Sequence, residues 1–98
     1  MKYIILKAKK GATSITLPII FPDMLVHDHV ARCLSLLLSL MYPTHKVAVC
    51  AAGFVSSVDV GRTIECNGES TSIGVKSRGE RDTALIRMAD YGSCLTDD

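Results

Sequence analysis

Ninety-eight residues suffice for one hydrophobic core and not for two, because chains shorter than about 100–150 residues rarely divide into separate domains. Hydrophobic residues at 48% and charged residues at 21% exclude the low-hydrophobicity, high-charge composition of disordered chains. Eleven Lys and Arg against ten Asp and Glu leave a net charge of +1, so any pull on nucleic acid or anionic lipid must come from a local patch.

The chain opens with Lys2-Tyr-Ile-Ile-Leu-Lys7, β-branched and aromatic, followed by Lys9-Lys10-Gly11 with turn chemistry and then Ser14-Ile-Thr-Leu-Pro-Ile-Ile-Phe21. This predicts a hairpin. Pro18 cannot donate to a ladder, which places the second strand at an edge or at a bulge. Pro22-Asp23 ends it.

From His27 to Met41 the residues Val30, Ala31, Leu34, Leu37, Leu38 and Met41 recur at helical spacing, and Pro43 enforces a stop. Asp23 or Asp28 is the expected N-terminal cap. Beyond this buried face, Cys33, Leu36 and Leu40 form a second apolar stripe. A helix so apolar needs cover on more than one side, from the second helix or from another chain, and a symmetric pair of these helices across a two-fold axis is the simplest closed solution.

Val47-Ala-Val-Cys-Ala-Ala52 has strand length without alternation, as in a central strand covered on both faces, with Gly53 marking a bulge or close approach. A turn near Asp59-Val-Gly61 leads to the strand Thr63–Cys66. Asn67-Gly68 predicts a hairpin with a return strand over Ser70–Lys76. Ser77 and Glu80 read as a capping box for a second helix, with Leu85, Met88 and Tyr91 on its stripe and Gly92 at its end. The fold class is therefore α+β, a mostly antiparallel sheet with two helices in the order ββαβββα. Residues 1–92 form the domain and 93–98 a frayed tail.

The cysteines Cys33, Cys50, Cys66 and Cys94 include no C-x-x-C pair, and Cys33 and Cys50 sit in apolar runs. They read as reduced thiols, and with no cleavable signal peptide they point to the cytoplasm. The apolar run Cys33–Met41 is far short of the ~20 residues a bilayer needs, so no membrane partner is expected. His27, His29 and Cys33 lack a nearby second ligand pair and read as residues of a helix start rather than a metal site. No nucleophile, zinc or phosphate-loop signature is present, so no catalytic residue and no cofactor are assigned.

Asn67–Asp82 carries more hydroxyls, glycines and cations than a hairpin requires. Ser70, Thr71, Ser72, Lys76, Ser77, Arg78 and Arg81 are the candidate ligand-binding residues, converging on a helix N-terminus suited to a phosphate. Glu80 competes for the same donors. Lys2, Lys7, Lys9 and Lys10 read as a solvated hairpin rim with one aromatic among them, Tyr3, which disfavours nucleic acid.

The pieces Ile19-Ile-Phe-Pro-Asp23 with His27 and Val30-Ala31, then Ala52-Gly-Phe-Val55, then Cys66 to Asp82, together resemble a pattern of small bacteriophage-encoded hypothetical proteins. That resemblance implies a phage accessory protein, and by extension an inhibitor of a host defence complex, anti-CRISPR or otherwise anti-defence, acting in the host cytoplasm. The expected function is thus non-enzymatic binding of a host protein complex, with Cys33, Leu36 and Leu40 as interface residues. The alternative is binding of a phosphate-bearing nucleotide at the loop before the second helix.

Overall fold

The computed structural model describes residues 1–58 and 63–88. Strands β1 (Lys2–Lys10) and β2 (Thr13–Phe21) form the opening hairpin, with Lys10 opposite Thr13 across a two-residue turn. Gly11 at φ 58 supplies the left-handed backbone that so tight a turn requires. Strands β3 (Lys46–Val58) and β4 (Thr63–Asn67) complete a sheet of order β2-β1-β3-β4, antiparallel throughout. Pro18, opposite Ile5, lies on the edge strand β2, where a missing donor can be tolerated.

Because β1 is interior and covered on both faces, its side chains divide by parity between two cores. Ile4 and Leu6 join Phe21, Ala31, Leu38 and Ala52 on one face, while Tyr3 and Ile5 join Ala51, Cys66 and Ile86 on the other. Helix α1 (His27–Met41) covers the first face and helix α2 (Glu80–Met88) the second. The protein is α+β, in the expected order ββαβββα. The last expected strand is realised as a tight hairpin of two short strands, β5 (Glu69–Ser70) and β6 (Val75–Lys76), in a sheet of its own. Asn67-Gly68 is therefore not a hairpin turn. Asn67 stays in β4 opposite Phe54, and Gly68 at φ 78 turns the chain from one sheet to the other.

α1 begins without a side-chain cap, which corrects the assignment of Asp23 or Asp28 to that role. Its start is instead anchored by buried His27, whose Nε2–H donates to the Gly53 carbonyl at 2.9 Å between the ring edges of Phe21 and Phe54. Only one line of α1 is buried, His27, Ala31 and Leu38. Leu37 and Met41, expected on the buried face, lie on its flank and are exposed, as are Cys33, Leu36 and Leu40. Since α2 packs on the opposite side of the sheet, it cannot cover this stripe.

Gly53 marks a close approach rather than a bulge, because a Cβ there would stand 2.4 Å from the Asn67 carbonyl oxygen. The bulge is at Cys50. Ile5 pairs with Ala51 and Leu6 with Val49, so Cys50 is the extra residue. The turn near residues 59–61, the helix end at Tyr91 and Gly92, Cys94 and the tail 93–98 lie outside the described residues. Among the described residues no helix is long and apolar enough to cross a membrane.

Candidate functional site

α2 has nine residues, about 13 Å of helix, against a nine-residue β1 of roughly 30 Å. It lies over Tyr3 and Ile5, through Leu85 and Ile86, and so leaves the far end of that face open. By parity the open floor carries Lys7 and Lys9 of β1, and the bulge decides what stands beside them. A one-residue slip exchanges the faces of a strand. Past Cys50, therefore, β3 turns Val49 and Val47 to the α1 core and presents Ala48 opposite Lys7 and Lys46 opposite Lys9.

The helix rim contributes the other half. Asp82 is fully buried and its carboxylate accepts from Tyr3 Oη at 2.6 Å, from the Arg78 backbone N–H at 2.7 Å and from Arg78 Nε at 2.7 Å. The Tyr3 phenol oxygen also lies 2.6 Å from Ser77 Oγ, which accepts from the Gly79 N–H at 3.0 Å. The amides of Asp82 and Thr83, in the first turn of α2, donate to the Gly79 carbonyl. The helix thus starts after Gly79, and Asp82 reaches back to an amide ahead of it, the part expected of Glu80 in a Ser77–Glu80 box. A carboxylate on Nε fixes the guanidinium plane. Arg78 Nη2 is buried and makes no hydrogen bond.

Lys7, Arg78 and Arg81 line a depression of about 300 Å³ floored by Ile5, Cys50 and Leu85. A second depression of about 320 Å³ adjoins it through Lys7 and Cys50 and carries Lys9 and Lys46 over Ala48 and Gly11. Five of the chain's eleven cations thus surround one furrow, and among the described residues no Asp or Glu lines it.

The sequence-assigned ligand residues separate here. Arg78 and Arg81 reach the furrow. Ser70, Thr71, Ser72 and Lys76 belong to the β5–β6 hairpin, whose Ile73 and Val75 pack against the α1-side core, and Ser70 is buried with its hydroxyl 3.2 Å from that of Ser72. Ser77 is engaged by Tyr3 and Gly79. Lys7, Lys9 and Lys46 were missed as site residues. The alternation of Lys7 and Lys9 was readable as one strand face, but the bulge that adds Lys46 was not. Among the described residues no group of His, Cys, Asp and Glu is placed to hold a metal ion, and His27 points inward. Comparison with family models, curated proteins and solved structures finds no match.

Proposed function

We propose that this chain is a non-enzymatic binding protein for a phosphate-bearing ligand, seated between α2 and the open end of β1. The observation that carries this reading is the convergence of Lys7, Arg78 and Arg81 on one depression that no carboxylate lines among the described residues. Asp82 accepts from Arg78 Nε and holds the guanidinium in place at the rim of that depression. A planar guanidinium held this way suits phosphate oxygens.

A ligand that binds only the folded state raises the unfolding temperature, and a hundredfold excess over Kd is worth about 2.7 kcal/mol. Inorganic pyrophosphate, mono-, di- and cyclic nucleotides and a short oligonucleotide form the panel. A shift with at least one of them, abolished in Lys7→Ala/Arg81→Ala, is expected. These two positions leave the Arg78–Asp82 pair intact. No shift with any of them overturns the reading.

One observation favours a second reading. Leu36 and Leu40 on α1 are 64% and 71% exposed, with Leu37, Met41 and Cys33 beside them, a patch that suits a protein partner. The resemblance to small phage proteins makes a host defence complex the partner to test, and a second copy of the chain the other.

A further inference from the structure

We infer that the ligand of the furrow is a single nucleic-acid strand, held by its backbone along both depressions and not read by its bases. This rests on the anion-binding reading above and extends it from one phosphate to several in series.

The first argument is the arrangement of charge. Lys7 and Lys9 are two residues apart on one face of β1, about 6.7 Å, and Lys46 stands directly opposite Lys9. Like charges directly opposite in a sheet are destabilising. The fold nonetheless sets this pair there, through the Cys50 bulge, with no carboxylate among the described residues of the lining to relieve it. A polyanion relieves it. A mononucleotide in the Arg78–Arg81 depression would leave Lys9 and Lys46 unneutralised.

The second argument is shape and lining. Each depression is at the small end of the range for one small ligand, and the two share Lys7 and Cys50, so in series they offer successive seats along a strand rather than one enclosed pocket. Ala48 and Gly11 keep the floor of the second low. Among the described residues no aromatic side chain lines either depression to stack a base, and no Asn or Gln lines them to read a base edge. What remains is contact with phosphates, which is independent of sequence and dominated by counterion release.

The test is fluorescence anisotropy with the full chain and two labelled single strands of unrelated sequence, each about 12 nucleotides, between about 50 and 200 mM salt. Equal affinity for both strands is expected, with a slope of log K on log salt near −3.5 for five phosphate contacts, about a hundredfold loss across that range. Lys9→Gln/Lys46→Gln should flatten the slope by about 1.4 and weaken both strands alike, by more than it weakens pyrophosphate, while leaving circular dichroism unchanged. A strand that binds no more tightly than a single nucleotide, or that ignores the Lys9/Lys46 change, overturns this inference and leaves the proposed function standing. Tighter binding of inorganic polyphosphate or of poly-glutamate than of either strand overturns it in favour of those polyanions. Failure of every phosphate compound overturns both readings.

Discussion

At the scale of residues, the group that joins the core to the candidate site is Asp82. A fully buried carboxylate is tolerable only when its oxygens are fully used, and Tyr3, the Arg78 amide and the Arg78 guanidinium supply three donors. The two ends of this network should respond unequally to mutation. Tyr3→Phe removes one hydrogen bond to a charged group and leaves Asp82 two donors, a loss of about 1.5–3 kcal/mol in urea unfolding. Asp82→Ala strands the part-buried guanidinium and empties a packed position, for about 3–5 kcal/mol. It should also free the guanidinium plane and weaken pyrophosphate binding, whereas Tyr3→Phe should not. Equal effects of the two on binding would show that Asp82 does not orient Arg78.

At the scale of elements, what could be read from the sequence tracks how local the determining physics is. α1 spans His27–Met41 as its periodicity and Pro43 indicate, and the opening hairpin follows from its β-branched runs and Gly11. The bulge was not legible, because nothing in Val47–Ala52 marks Cys50; it follows from fitting Val47 and Val49 to one core and Ala51 to the other. Asn67-Gly68 misdirects for a similar reason, since pairing of Asn67 with β3 outweighs its turn preference. The surplus stripe of α1 was legible and is exposed, which sets up a test. Leu36→Glu should change folding stability by less than about 0.5 kcal/mol, since the site makes no core contact in the single chain. If wild type self-associates in light scattering, the same substitution should return it to monomer. Unfolding of the variant, with a monomeric wild type, would place Leu36 in the core and defeat the exposed assignment.

At the scale of the whole molecule, a net charge of +1 conceals a segregated surface, because the furrow's cations come from β1, β3 and α2 and only the fold unites them. That is why Arg78 and Arg81 could be named from one stretch of sequence and Lys46 could not. The α2-side core has a second global consequence, in the pH dependence of folding. Burial, and then the hydrogen bond to the Asp82 carboxylate, raise the Tyr3 phenol above its ordinary 10.0, and burial pushes the Cys66 thiol above its ordinary 9.0. Both groups are neutral when protonated, so the folded state keeps protons that the unfolded chain releases near those ordinary values. Once pH exceeds about 9 the unfolded state therefore binds fewer protons than the native one, and stability falls as pH rises. The contribution is fully present below pH 9, begins to fail through Cys66 and fails faster above pH 10 as Tyr3 joins it. Urea midpoints should be level between about pH 7 and 8.5 and decline steeply from about pH 9.5 to 11. The Tyr3→Phe variant supplies the control: it starts less stable at pH 8 and should lose less on going to pH 11. A wild-type decline no steeper than that of Tyr3→Phe would mean that the phenol is not held protonated by its buried position.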